Sequence, residues 1–479
     1  MTPPLPALRD FSDRLSPMVV KEMRQGLRTR FFTAALILFH LVLGCLMLSY
    51  LFDVNQRDTK EVFWLVIIVT LLGVLPSRAF NALNAEVKDG TLDMLMLTGI
   101  TSFRIVWGKW VSLYSQTLLV ASSMLPYMIV RYQFGGVEIA REALGLAVLV
   151  LGSGVVTAAL VGFSSQKLLL VRLLMAAAVG AGAFSIGVLA YLLAAEDFIG
   201  QEISQNLISA GATQASLICL GIAAMAFYLG YQFLCLGSAR LPCVTDSHAA
   251  IKRVTAILLI AGLVVFAWVL VWQGFGQSVI IASTYMPAML LLLILGMDLV
   301  TEEPPVESQT SSRWFLKAGW PSGVPLSCLL WLAPFLILLA YEWRTSDGWE
   351  IEPWFMTLGF MAATFVPLCI PIFRRHSRLS QWWAVQLLML AAGIVLTIAL
   401  ETMSYGDREG YGFLGLFFPV SSMFASESAS SADRDAIRFL GFFTHSIWII
   451  AALVSAIRER RRVRDLKTAI HRADSPIPA

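Results

Sequence analysis

Within residues 85–110, AEVKDGTLDMLMLTGITSFRIVWGKW, charged and apolar side chains recur at helical spacing. Read as a helix over 86–97, the stretch puts Leu92, Leu95 and Met96 on one side at i, i+3, i+4. Asp89 and Asp93 fall together on another side, one turn apart. These residue types do recognition chemistry rather than bond-making. The apolar stripe suits a groove on a partner, and the acids suit basic residues at its rim. The same spacing equally suits a helix resting its stripe on lipid. Gly99 ends the helix, and Thr101 or Ser102 can cap the next one.

No residues of a catalytic constellation accompany this stretch. WGKW at 107–110 holds a Gly-Lys pair without the phosphate-cradling loop that must precede it, so hydrolysis of ATP by this route is not expected of the chain alone. Neither the nucleophile elbow GxSxG nor the zinc motif HExxH occurs. His40 and His445 lie inside apolar runs, where they either relay protons or bond to a neighbouring helix. Cys45, Cys219, Cys235, Cys243, Cys328 and Cys369 have no CxxC spacing and read as small packing residues. No catalytic, cofactor-binding or metal-ligating residues are therefore expected.

The elements that must position the stretch are apolar. Of 479 residues 57% are hydrophobic and 14% charged, against about 25% charged in a soluble protein. Mean hydropathy is +0.73. The fold class is an all-α polytopic membrane protein with about twelve transmembrane helices, each near the ~20 residues that cross the hydrocarbon. They are expected near 31–52, 62–80, 110–130, 142–163, 168–194 and 215–236, then 253–273, 278–298, 324–341, 354–373, 382–401 and 437–457. Residues 411–424 are too short to span and read as re-entrant or interfacial. Trp64, Trp107, Trp110, Trp354, Trp382 and Trp383 near span ends read as an aromatic belt. A net charge of +3 gives no reason to expect nucleic acid.

Counting bases gives the orientation. With both termini inside, 27 of the 35 Lys and Arg fall on the cytoplasmic side and 8 outside, the bias that marks inner loops. The 85–109 segment is then cytoplasmic. Some thirty residues, several of them charged, precede the first span, so no cleavable signal peptide is expected.

The expected organisation begins with a leader at 1–30 and a six-span module at 31–236 that carries the 85–109 segment. A loop and two further spans follow at 237–298, then an inner linker at 299–323 between a front and a rear part. Four further spans at 324–457, with an outer loop at 401–436, end in a basic tail at 458–479 suited to anionic lipid. Two six-helix halves would fit, because the longest outer loop precedes the last span in each, at 195–214 and 401–436. No sequence repeat supports that grouping. In the leader, Pro17 opens a helical pattern that Ser16 can cap. Met18, Val19, Met23 and Leu27 form an apolar side and Lys21, Arg24, Arg28 and Arg30 a basic one, as in a helix lying at the headgroup layer.

The 85–110 stretch resembles the cytoplasmic coupling segment of ATP-binding-cassette (ABC) exporter permeases of the type-2 family. Glu86, Gly90, Thr91, Leu92, Leu95, Thr98, Gly108 and Lys109 match that segment in kind and order, and Met96 completes its stripe. The leader SPMVVKEMRQGLRTRFF is similar to the family's elbow helix, with Lys21, Glu22, Arg24 and Arg28 in the expected positions. Gly99 stands where the family often has proline, and Lys88 where an acid is frequent. The motifs cover roughly residues 16–130.

The resemblance implies a permease subunit, an exporter in the bacterial cytoplasmic (inner) membrane. A separate ABC ATPase subunit would bind ATP and Mg and drive it, and a homodimer or a second permease subunit would complete it. A non-transporting membrane scaffold or regulatory protein driven by such an ATPase, and a secondary carrier, are the rival readings. Scarce charge inside the spans argues against the carrier.

Overall fold

The computed structural model describes residues 17–51, 56–88, 100–134, 139–165, 169–194, 212–238, 241, 249–274, 280–301, 319–345, 351–369 and 431–473, with isolated positions at 382, 385, 386, 388, 389, 419 and 422. Among them every regular element is helical. Ten helical segments among the described residues are long and apolar enough to cross a bilayer. Their outward faces leave large apolar side chains such as Phe184, Leu258 and Ile447 exposed, a surface that hydrocarbon accepts and water does not. Helices are the form in which a chain can satisfy its own backbone there. The chain is an all-α polytopic integral membrane protein. The expected span at 354–373 forms a helix that is not one of the ten, and most of 382–401 and 411–424 lies outside the described residues.

The chain divides into two compact units, 1–246 and 247–479. In unit 1, α1 (Pro17–Leu27) hands over to α2 (Arg30–Leu51) through a turn. The Thr29 hydroxyl closes it by donating to the Gly26 carbonyl at 2.7 Å. The second membrane helix is irregular. α3 (Gln56–Ile68) runs into a π-helical segment, Val69–Val74, then one α turn and a 3-10 turn before α4 (Ala82–Lys88). The Leu75 N–H reaches back five residues to Thr70 O, and Pro76 behind it has no N–H to give. Pro76 leaves a carbonyl one turn back without its usual donor, and here the helix meets this by slipping one residue in register.

The third membrane helix is α5 (Ser102–Ser123), broken by a turn at Met124 and continued as α6 (Leu125–Phe134). Then come α7 (Ile139–Phe163), α8 (Leu169–Ala194) and α9 (Ala212–Ser238). α7 is the centre of this unit, packed by α5, α8, α9 and the second helix. Close approach needs glycine here: a Cβ on Gly162 would stand 2.3 Å from the Phe233 carbonyl oxygen of α9.

Unit 2 contains α10 (Ala249–Trp272), a π segment Ile281–Tyr285 leading into α11 (Met286–Thr301), then α12 (Trp320–Leu330) and α13 (Leu332–Thr345). α14 (Ile351–Cys369) and α15 (Ser431–Ala473) complete its described helices. The stretch expected to link front and rear, 299–323, joins two helices of this one unit. A Cβ on Gly323 of α12 would stand 2.3 Å from the Leu299 carbonyl of α11. Residues 302–318 between them lie outside the described residues.

Trp64, read as part of an interfacial belt, is instead 1% exposed. Its ring edge fits over Gly145, where a Cβ would come within 2.9 Å. A large flat ring fills a wide helix–helix gap, and glycine opposite makes that gap.

Candidate functional site

Three elements meet where α4 ends and α5 begins. Thr101, in extended conformation, caps α5 by accepting from the Arg104 N–H at 3.4 Å. Nothing between Ser102 and Trp110 interrupts the helix, so Gly108 and Lys109 lie inside α5 rather than ahead of it, as the expected span at 110–130 had them. Both are buried. On the other side of this junction, α4 carries Glu86.

Lys109 is the centre of the arrangement. Its ammonium donates to Glu86 Oε1 at 2.8 Å and to Glu22 Oε1 of α1 at 3.2 Å. The Lys109 side chain is 7% exposed, those of Glu22 and Glu86 15% and 16%. At such burial an ion pair is screened far less than on an open surface, and each partner depends on the others to offset its desolvation. The three groups sum to a formal charge of −1.

α1 keeps its place on α5 by close contact. Gly26, one turn beyond Glu22, faces Ser112 and Gln116, and a Cβ on it would stand 2.4 Å from Gln116 Nε2. The Gln116 side-chain oxygen in turn accepts from Arg78 of the second helix. The Arg78 guanidinium lies 5.8 Å from the centre of the Phe31 ring at the start of α2. α1, the second helix from Arg78 to Glu86 and α5 from Lys109 to Gln116 therefore form a bracket whose polar faces meet each other: Glu22, Glu86, Lys109, Ser112, Gln116 and Arg78. The opposite side of α5 is an aromatic ladder. Phe103, Trp107, Trp110 and Tyr114 follow one another with ring centroids 6.0, 4.9 and 5.2 Å apart. Trp110 Nε1 donates to Gly154 O at 2.9 Å and Tyr114 OH to Val150 O at 3.3 Å, fixing the ladder to α7. The indoles of Trp107 and Trp110 thus serve helix packing as well as any interfacial role.

Of the residues singled out by the family resemblance, the structure brings together Glu22, Glu86 and Lys109. Lys21, Arg24 and Arg28 are exposed, with Arg28 one residue past the end of α1. Gly90, Thr91, Leu92, Leu95, Met96 and Thr98 lie outside the described residues. Both chain ends that lead into that stretch are fixed: it leaves α4 just past Glu86 and re-enters just ahead of the Thr101 cap. Sequence reasoning missed Gly26, Arg78 and Gln116. The signal was an (i, i+3, i+7) row of Lys109, Ser112 and Gln116 inside an otherwise apolar helix.

At the far end of the same unit, Arg131 of α6 and Glu142 of α7 form an ion pair at 2.5 Å with neither side chain exposed. The Arg131 guanidinium also lies 4.1 Å from the centre of the Phe63 ring. The histidines bond to neighbouring elements. His40 Nδ1 lies 3.1 Å from Tyr127 OH, and His445 Nε2 lies 2.8 Å from Ser422 Oγ. Among the described residues no three His, Cys, Asp or Glu stand close enough to share a metal ion.

Comparison with protein-family models, with curated proteins and with solved structures gives no match to this chain.

Proposed function

We propose that the chain is the membrane-spanning permease subunit of an ABC exporter, with twelve spans, both termini cytoplasmic, in a bacterial inner membrane. A separate ATPase subunit binds ATP and Mg, grips residues 86–98, and moves the membrane helices as its nucleotide sites close. The observation that supports this best is the Glu86–Lys109 pair at 2.8 Å, with Glu22 on the same ammonium. It closes the base of the 89–99 stretch and ties it to α1. A pull on that stretch reaches the second and third membrane helices and, through Glu22, the elbow helix, without first stretching a slack loop.

The test is retention of the ATPase by chains carrying Leu92→Asp or Leu95→Asp, normalised to membrane-inserted protein. A charge placed in a desolvated contact costs several kcal/mol, enough to weaken binding by orders of magnitude. Asp93→Asn on the polar flank changes little, since exposed pairs contribute about 0–1 kcal/mol. Retention undiminished by both Leu variants means the stretch is not the docking site, and insertion lost in both means the stripe serves lipid.

A further inference from the structure

Unit 2 repeats several features of the construction of unit 1 in the same order. In each, the second membrane helix has a π segment closed by an N–H reaching back five residues, Leu75 to Thr70 and Met286 to Ile281. In each a proline follows at once, Pro76 and Pro287. An acid stands near the end of that helix, Glu86 ten residues beyond Pro76 and Asp298 eleven beyond Pro287. The third helix is broken by a turn in both, at Met124 and at Trp331, shortly before Pro126 and Pro334. A polar link then ties the third helix to the fourth: the buried pair Arg131–Glu142 in unit 1, and a half-buried bond from Trp354 Nε1 to Glu342 at 2.7 Å in unit 2.

The packing partners follow the same order. The first helix lies on the second and on the later half of the third: α2 on α3 and α6, α10 on the 281–285 segment and α13. The second lies on the third and fourth, α11 on α12 and α14 as the Leu75–Asn81 turns lie on α5 and α7. The early half of the third lies on the last, α5 on α9 and α12 on α15, and the fourth lies on the last, α7 on α9 and α14 on α15. Where unit 1 has α8 against α7, unit 2 has Trp382 donating to the Thr364 carbonyl of α14 at 3.1 Å.

Each unit also carries a charged cluster, on α1, α4 and α5 in unit 1 and on α10, α11 and α12 in unit 2. Lys252 of α10 pairs with Asp298 of α11 at 2.5 Å, with side chains 4% and 8% exposed. Arg253, fully buried, donates to Ser322 Oγ of α12 at 3.0 Å and to the Gly319 carbonyl at 3.2 Å. In unit 1 the Glu86–Lys109 pair closes the base of the connection from second to third helix directly, and in unit 2 the first helix bridges its two ends, Lys252 to Asp298 and Arg253 to Ser322. The identities are exchanged: a lysine on the third helix holds acids in unit 1, and bases on the first helix hold an acid and a hydroxyl in unit 2. The distribution of Lys and Arg along the chain assigns both clusters to the cytoplasmic side.

We infer that residues 247–479 are a second copy of the unit 1 module and that Lys252, Arg253, Asp298 and Ser322 form its coupling bracket, giving one chain two docking positions for the same ATPase. This rests on the reading of unit 1 as an ATPase-driven module. Parallel repeats of this kind are a recurrent way of building transporters from one chain. The four residues are positioning residues, holding helix ends against which the partner works.

The test is native mass spectrometry of the complex captured from its own membrane through a tag on the full chain. The ATPase is recognised in it by a phosphate-binding GxxxxGK motif in its peptide sequence. Two ATPase copies on one chain are expected. Asp298→Asn should halve the ATPase held per inserted, monodisperse chain, Glu86→Gln should halve it likewise, and the two together should abolish it. Exchanging the charges, Lys252→Asp with Asp298→Lys, should restore two copies. One ATPase per chain in the wild-type complex, or two copies still held by Asp298→Asn, overturns the inference and leaves the reading of unit 1 standing. No ATPase in the wild-type complex overturns both. If the Asn variant fails to insert, the wild-type ratio decides alone.

Discussion

Glu22 and Glu86, on helices separated by two membrane passages, accept from one ammonium, that of Lys109, at 3.2 and 2.8 Å. A lysine has three protons to give and a flexible four-carbon stem. It can hold two carboxylates while each shifts, which a planar guanidinium in a bidentate grip does less readily. The bracket therefore joins α1, α4 and α5 firmly without freezing them.

Loss of the shared cation should be felt more than loss of either acid. Lys109→Met takes the shared cation from two largely buried carboxylates, for which about 3 kcal/mol is the expected cost. Glu22→Gln keeps a hydrogen-bonding side chain and leaves Glu86 on the ammonium, so about 1 kcal/mol is expected. For a unit of this size that separates the thermal midpoints of the two purified variants by roughly 4–8 °C. Equal midpoints would show that the ammonium does not hold the bracket.

The Arg131–Glu142 pair should behave as a unit. Either Arg131→Met or Glu142→Leu leaves a fully buried group without its partner, at about 3–5 kcal/mol. The double variant Arg131→Met with Glu142→Leu removes both charges and should recover most of the loss. A double-mutant cycle on thermal midpoints reads this directly. Additive losses would mean that the two groups do not depend on each other.

Glycine tolerance should follow the packing rather than the composition. Gly162→Ala places a methyl 2.3 Å from the Phe233 carbonyl, while Gly180 on α8 has nothing within 4 Å of its would-be Cβ. Separating α7 from α9 to admit the methyl costs about 1–3 kcal/mol, so Gly162→Ala should lower the amount of inserted, monodisperse protein. Gly180→Ala should match wild type, and stabilise slightly if anything, since alanine favours helix.

Topology is open to single-cysteine labelling in a cysteine-free chain. Lys88→Cys should stay unlabelled by an impermeant maleimide added to intact cells, and Gln205→Cys should react. The reverse pattern would invert the assignment of sides that the 27-to-8 division of bases supports.

Much of this protein is legible from its sequence because lipid imposes a length and a hydropathy on every helix that crosses it. The runs at 31–52, 142–163 and 253–273 differ from α2, α7 and α10 only by a few residues at their ends. Pro17 as the start of α1 and Thr101 as the cap of α5 were visible as residue types, since caps and first turns are made by neighbours in the chain. So were Glu22, Glu86 and Lys109 as residues of interest.

Their meeting was not visible. It depends on which helix lies beside which, and hydropathy does not say: a side chain facing lipid and one facing another helix are equally apolar. Trp64 and Trp272 look alike in the sequence, yet one is 1% exposed and the other 75%. The π segments before Pro76 and Pro287 were equally hidden. A proline removes one N–H, but whether the helix ends, bends or slips by a residue is decided by the partners packed around it. Sequence alone determined where apolar runs long enough to cross lipid lie and which residues open α1 and cap α5. Only the tertiary structure decided that one buried ammonium would hold three of their ends, because that contact is made between segments the chain itself keeps far apart.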